Sequence, residues 1–408
     1  MKKRYIALII ALLLLTGVYF LFYHKATGLK FIPKNADVVV LIDTKKFTRQ
    51  YISSFLIHPS HWFEDRKKNK NKISLSDSGV KIPDFLQIFH LKNSKISNYY
   101  TILELEDFQK FCTLLKKNRF VNKGSQGYVK DNLVVYVNKK YAVVGTSNDE
   151  FTEIAGFLSK KRSDKNQNAD QFIKGSLGSL SFISGKKIQN FEINLNDDEI
   201  EIHNEEYSND FESLISDLHR KTQFLEAELD SENIKKMSSV FIDDFTQSAS
   251  INHLKMTANI VEVNDTIVSY GYDDNFNEIE KKSYQKIVQP KYEILLETLY
   301  PEKTWRYLQQ KQWINAQNQF TAIPFQPNLV SQNKNQISIK SVGTSKKLNE
   351  IKNQNYIFIK NNALLYTSFK FLNNSVLRDV EYLFYGNKNT DYTAKIHFKK
   401  EKYPLILR

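Results

Sequence analysis

A chain of 408 residues with 41% apolar and 13% aromatic side chains has ample material for packed cores, which excludes a disordered or low-complexity protein. Its formal net charge is +13; five positive charges (Lys2, Lys3, Arg4, Lys25, Lys30) fall in the first thirty residues without an acidic partner, leaving +8 on the body. The basic residues are overwhelmingly Lys, with Arg at nine positions, and this shortage of the planar fork that grips phosphates and base edges argues against nucleic acid as a partner.

From the start of the chain, Tyr5 to Tyr23 is a nineteen-residue run without a charge. As a helix it spans about 28 Å, close to the hydrocarbon thickness of a bilayer. Tyr5 at one end and Phe20 and Tyr23 at the other fit interfacial aromatic belts, with Leu12 and Leu15 in the apolar interior. Lys2, Lys3 and Arg4 place the N-terminus in the cytoplasm by the positive-inside rule. The rival reading is a cleaved secretory signal, but the run exceeds a signal core and no small-residue cleavage site follows closely. Residues 1–30 are therefore expected to form a cytoplasmic tip and single-pass anchor in the inner membrane, with an extracytoplasmic body. No cysteine near the run could carry a lipid.

Residues 31–190 read as a first α+β domain. Phe31 to Ala36 form a leading turn, Asp37 to Asp43 a strand, and Thr44 caps a helix through about Phe55. The basic stretch Arg66–Asp77 reads as a loop. Tyr99–Leu105 is a predicted strand and Glu106–Asn118 an amphipathic helix. Its one cysteine, Cys112, shares the helical face of Phe108, Phe111 and Leu115 as a buried structural thiol, so no intrachain disulfide can form. Tyr128-Val129, Leu133–Val137 and Tyr141–Gly145 are predicted antiparallel strands, followed by a helix capped at Ser147 or Asn148 and running through Leu158.

Residues 191–408 read as a second, β-rich α+β domain. Phe191–Leu195 and Glu199–His203 form a hairpin, and Phe211, Leu214, Ile215, Leu218 and Leu225 mark a helical stripe. Ser248–Val263 and Thr266–Tyr272 are strands joined at Asn264-Asp265, followed by helices at about Asn275–Val288 and Tyr292–Leu299. Ala394–Phe398 and Pro404–Leu407 close the chain as a hairpin. Val135–Ser147 aligns without gaps to Tyr356–Ser368, a helical pattern follows each (Asp149–Leu158, Val376–Leu383), and the match points to an internal duplication whose halves meet near residues 170–210. The fold class expected is α+β: an N-terminal transmembrane helix, then a β-rich body of mainly antiparallel sheets with helices packed on one face, duplicated.

The stretch from Phe31 to Ser147 resembles a family of uncharacterised envelope-anchored proteins of Bacteroidota. The resemblance rests on an N-terminal anchor, Ile32-Pro33 with Ala36-Asp37 before a strand ending in Ile42-Asp43, Ser78-Gly79-Val80-Lys81 before another strand, Glu106-Asp107 opening a helix, and the Ala142–Ser147 strand. It covers about a third of the chain. The chain departs from lipoprotein members in lacking an anchoring cysteine. What the resemblance implies is an envelope-facing α+β domain; it brings no activity, cofactor or catalytic residue.

Candidate chemistry is sparse. His58-Pro59-Ser60-His61-Trp62-Phe63-Glu64-Asp65 is the densest ligand-like cluster, with His58 and His61 as weak metal candidates, but Pro59 breaks the helix that would align them; a loop around a packing Trp62 is the better reading. Asp273-Asp274-Asn275-Phe276-Asn277-Glu278 alternates oxygen ligands like a calcium loop, making Asp273 a weak metal candidate. It lacks the required glycine and reads better as a capping box. Ser78-x-x-Lys81 has serine-lysine acylase spacing without its companion motifs, and Gly175–Gly178 with Gly185-Lys186 is mis-spaced for a phosphate loop. Neither G-x-S-x-G nor H-E-x-x-H occurs. No cofactor is implied. The function expected is a non-enzymatic binding or scaffold protein of the bacterial envelope, its partner an envelope protein or an anionic polymer. The alternatives are a hydrolase with dispersed active-site residues and a basic polymer-binding module using Tyr, Trp and Lys.

Overall fold

The computed structural model describes residues 16, 19, 22–61, 77–124, 127–159, 167–204, 211–241, 250–323, 328–341, 354–362, 364 and 378–408. The chain divides into two compact units, Met1–Glu205 with Lys400–Arg408, and Glu206–Lys399.

In the first unit, β1 (Gly28–Leu29) leads to β2 (Ala36–Asp43), a β-branched and aliphatic run suited to a central strand. Asp43 ends the strand, and its carboxylate accepts the Lys46 N–H at 2.8 Å, capping α1 (Thr44–Ile57). Next come β3 (Phe85–Leu91), β4 (Tyr100–Glu104), α2 (Phe108–Lys117), the meander β5 (Val121–Asn122), β6 (Gly127–Lys130), β7 (Leu133–Val137) and β8 (Tyr141–Gly145), then α3 (Phe151–Ser159). β9 (Gln167–Asn168) pairs with β1, and β10 (Gly178–Ser184), β11 (Lys187–Leu195) and β12 (Glu199–His203) complete the unit. The main sheet runs β12-β11-β10-β2-β3-β4-β8-β7-β6-β5 with every pair antiparallel. Strand alternation puts Val39, Leu41, Phe89, Tyr100, Ile102 and Val143 on one buried face with Ile154 of α3. On the other face Val135, Val137 and Ala142 pack under Phe111 and Leu115 of α2.

The second unit opens with α4 (Glu212–Arg220) and β13 (Leu225–Asp230), followed by α5 (Ser231–Phe241) and the long strands β14 (Ile251–Tyr272) and β15 (Glu278–Thr298). Then come α6 (Pro301–Gln310), β16 (Gln319–Phe320), β17 (Asn328–Asn333), β18 (Gln336–Lys340), β19 (Asn355–Lys360), β20 (Val380–Lys388) and β21 (Asp391–Phe398). The sheet order is β16-β17-β18-β15-β14-β13-β19-β20-β21, again antiparallel throughout.

The two strand orders correspond one to one except for β5, which has no counterpart among the described residues of the second unit. β2, β3, β4, β8, β10, β11 and β12 take the places of β13, β14, β15, β18, β19, β20 and β21. The central strand of each ends in an aspartate that caps the next helix: Asp230 accepts the Asn233 N–H at 2.8 Å, as Asp43 does for Lys46. Tyr100-x-Ile102-Leu103 on β4 likewise recurs as Tyr292-x-Ile294-Leu295 on β15. The sequence match of Val135–Ser147 to Tyr356–Ser368 joins non-equivalent places, because β19 holds the position of β10 and the β7–β8 hairpin corresponds to β17–β18. Short hairpins share one alternating pattern, so pattern alone does not fix which is which. Residues 363 and 365–377 lie outside the described residues.

The α+β expectation is corrected: both units are built on extensive antiparallel sheet, the helices have 9 to 14 residues, and the longest strands have 22 and 21. The helices predicted at 275–288 and 292–299 are strand β15, and Asn264-Asp265 is no turn but lies inside β14, paired with Lys286 and Gln285. The Glu-, Lys- and Gln-rich run after Glu278 carries helix propensity, but pairing with the Thr-, Val- and Tyr-rich β14 overrides it. The segment predicted helical from Val376 enters β20, which strand pairing on both sides holds extended. At the C-terminus Leu405–Leu407 form a 3-10 turn where a strand was expected, since Pro404 has no N–H for a ladder. The leading transmembrane helix is not shown either: no helix among the described residues is long and apolar enough to cross a membrane. Tyr5, Leu12, Leu15 and Phe20 lie outside the described residues. Tyr23 stacks on Tyr19 at 6.2 Å, with the Arg49 guanidinium 4.5 Å over its ring.

One face differs in kind between the units. Where the first carries buried Leu41, the second carries Glu228, 1% exposed, with Lys255 Nζ 3.3 Å from its carboxylate. His253 Nε2 lies 4.0 Å from the same carboxylate. Burial pushes the His253 imidazole below its ordinary pKa, against the opposing pull of Glu228, Glu297 and Asp230; Lys255 adds to the depression. The folded state thus favours neutral His253, while the unfolded chain protonates it near pH 6.5. Stability is therefore expected to be fully present above about pH 6.5 and to fall as pH drops below it. Urea denaturation at stepped pH checks this. His253→Gln should flatten the dependence in that window, and an unchanged slope would refute the assignment.

Candidate binding groove

β15 ends at Thr298, whose N–H donates to the Asn335 carbonyl at 2.9 Å and whose hydroxyl accepts the Tyr300 N–H at 3.1 Å. That hydroxyl also meets the Thr304 hydroxyl at 3.0 Å, tying the strand end to the helix that follows. Leu299-Tyr300 makes the bend, and Pro301 opens α6, where its fixed φ suits a first turn and its missing N–H costs nothing. Helical spacing buries Thr304, Tyr307 and Leu308 against the sheet and leaves Glu302, Lys303, Arg306 and Gln310 outside.

Gln332 and Asn333 at the end of β17 and Lys334 in the turn to β18 join Leu299–Lys303, Arg306, Tyr307, Gln310 and Lys311 in lining an open groove of about 1340 Å³. Leu299 and Tyr300 stand on its lip, 67% and 63% exposed. Lys303, Arg306, Lys311 and Lys334 line it against a single carboxylate, Glu302. Lys311 Nζ sits 5.6 Å over the Tyr307 ring, and among the described residues no ion pair engages Lys303, Arg306 or Lys334. The first turn of α6 has no side-chain cap and borders the same space, adding the partial positive charge of a helix N-terminus. The groove can therefore hold anionic groups by charge and pack sugars or apolar edges on Leu299 and Tyr300.

The sequence candidates do not converge on it. His58 Nδ1 faces the Ser54 carbonyl at 2.8 Å, while His61 Nε2 faces the Leu407 carbonyl at 3.2 Å and its ring packs edge-on against Tyr403 and Phe55. Each thus turns one ring nitrogen to a backbone carbonyl, and Trp62, Phe63, Glu64 and Asp65, the rest of the sequence cluster, lie outside the described residues. Asp273 organises the β14–β15 turn: its carboxylate accepts the backbone N–H groups of Asn275 and Asn277 and the Asn277 side-chain amide. These bonds, the Asn277 side chain first, hold the Asp273 carboxyl below the usual carboxylate range. Ser78 Oγ accepts the Val80 N–H, whereas Lys81 pairs with Glu104 at 3.5 Å, so the serine-lysine spacing is structural. Gly185 turns the β10–β11 hairpin at φ +63°. Cys112 packs half-buried in the α2 core.

Among the described residues His219 and His397 share a partner, with ring nitrogens 2.8 and 3.7 Å from the two Glu381 oxygens, beside Tyr382 and a shallow cavity of about 430 Å³. Among the described residues neither this trio nor any other group of three or more His, Cys, Asp or Glu side chains is placed to hold a metal ion. Sequence reasoning missed the groove because it placed a helix at 292–299, where β15 runs, and none over Pro301–Gln310, and because Lys334 arrives from a distant turn. The i, i+3 spacing of Lys303 and Arg306 is the one signal available. No family model, curated protein or solved structure matches the chain.

Proposed function

We propose that this chain is a non-catalytic binding protein of the bacterial envelope whose second unit grips an anionic polymer in the groove beside α6. The observation that carries this reading is the gathering of Lys303, Arg306, Lys311 and Lys334 around one open space with an exposed aromatic and aliphatic lip. Surface cations that have no ion pair among the described residues keep their field outward, and long charged side chains around an open groove suit a flexible polyanion better than a small substrate. The uncharged Tyr5–Tyr23 run supports a place at the membrane, where such polymers are met.

The test is retention of the full-length protein on heparin-agarose, a generic sulfated glycan, against neutral dextran. Retention should occur on heparin alone and weaken with added salt. Reversing Arg306→Glu together with Lys334→Glu should weaken binding about tenfold, or about 1.4 kcal/mol. The same reversal at Lys116 and Lys117 on α2 should leave it unchanged. Salt-independent retention, or equal retention by the groove variant, overturns the proposal.

A further inference from the structure

β14 and β15 run far past their neighbours. β13 pairs with β14 only between His253 and Ala258, and β18 pairs with β15 only between Glu293 and Glu297. Residues 259–272 and 278–291 therefore continue as a two-stranded arm paired to one another alone among the described strands, about 45 Å long at strand rise. A lone two-stranded ribbon is marginal in water, and this one is costly in composition as well: Phe276, Tyr284, Tyr272 and Tyr270 are 87, 75, 69 and 67% exposed. Its outer edge along β15 leaves a row of backbone N–H and C=O groups without a strand partner among the described residues.

We propose that this edge pairs antiparallel with the same edge of a second copy, about a two-fold axis at Ser283. The occupant follows from the side chains. With Ser283 opposite itself, Glu280 faces the partner's Lys286 and Lys286 the partner's Glu280, while Ile279 meets Ile287 on the other face. Lys282 then lies against the partner's Tyr284, an ammonium beside an exposed ring. Neighbouring registers are penalised: shifting so that Lys282 faces itself, or Lys281 faces Lys286, sets like charges in opposition. The three lysines that would block promiscuous edge pairing thus disfavour those registers and permit this self-match, which alone sets Glu280 opposite Lys286 on both sides of the axis. Glu280 and Lys286 are held within the arm by Lys282 (2.9 Å) and Glu262 (2.7 Å); both ion pairs are exposed and weak enough to rearrange. A two-fold interface of this kind closes on itself and stops at a dimer.

The experiment is a cysteine scan of the full-length protein under mild oxidation, with Cys112 alone as background. Paired antiparallel residues lie within disulfide reach. Ser283→Cys should convert most of the chain to a covalent dimer on a non-reducing gel, whereas Val268→Cys on the other strand of the arm should not. In sedimentation, Lys286→Glu should shift the protein at least tenfold toward monomer, and Lys286→Glu combined with Glu280→Lys should restore the dimer. A monomeric wild type, equal cross-linking at Val268, or failure of the double reversal overturns the proposal; the first outcome would assign the arm to a different protein.

Discussion

Replacing Glu228 by alanine should lower the unfolding free energy by about 3–5 kcal/mol, because it strands Lys255 as a buried cation without its carboxylate. Glu228 is 1% exposed and Lys255 5%, so neither can turn to solvent. Gln354 would also lose the acceptor of its N–H, now 3.2 Å from Glu228 Oε1. The paired change Glu228→Leu with Lys255→Met should recover the loss, and exceed the wild type by about 1–4 kcal/mol if packing is kept. At the place matching Glu228 the first unit already carries an apolar residue, Leu41 in a hydrophobic core, with Gln87 where the second unit has Lys255. Urea titrations of the three proteins decide the matter; a mild effect of the single change would mean that water reaches Lys255.

Gly79→Ala should cost about 3 kcal/mol, adding the left-handed backbone penalty of roughly 1–2 kcal/mol to overpacking of similar size. Gly79 has φ +71°, and a methyl there would lie 2.2 Å from the Asp107 carbonyl oxygen and 2.8 Å from the Phe111 nitrogen. Its own carbonyl accepts the N–H groups of Glu106 and Asp107 at 2.9 and 3.1 Å, which sets the start of α2. Asp107 can then cap that helix through Gln109 and Lys110. The thermal midpoint should fall by roughly 6–12 °C. Gly124→Ala is the control, since it has φ +95° with nothing within 4 Å, and it isolates the backbone penalty. Equal shifts for the two variants would remove the close approach at Asp107 as the cause.

The first unit was well legible in sequence. The Asp43 strand ending, the Asp107-capped helix and the β7–β8 hairpin all fall within a few residues of their expected places, because each is specified by short-range alternation, caps and turns. The long arm was not. Its strands alternate on two solvent-facing sides, so no clean buried face disciplines the pattern, and the Asp273–Asn277 turn imitates a helix cap. The equivalence of the units was similarly hidden, since it lies in strand order, with only short echoes such as Tyr100-x-Ile102-Leu103 and Tyr292-x-Ile294-Leu295 left in the residues.

By itself the sequence determined the strand-rich, core-forming character of the chain, its basic surface and its lack of a spaced catalytic motif, because composition and periodicity act over a few residues at a time. Only the tertiary structure decided that Glu228 would be buried against Lys255, that Lys334 and Arg306 would line one groove, and that β14 and β15 would outrun their sheet. Each of these depends on which distant strands become neighbours, and pairing between strands is a long-range choice that local pattern leaves open.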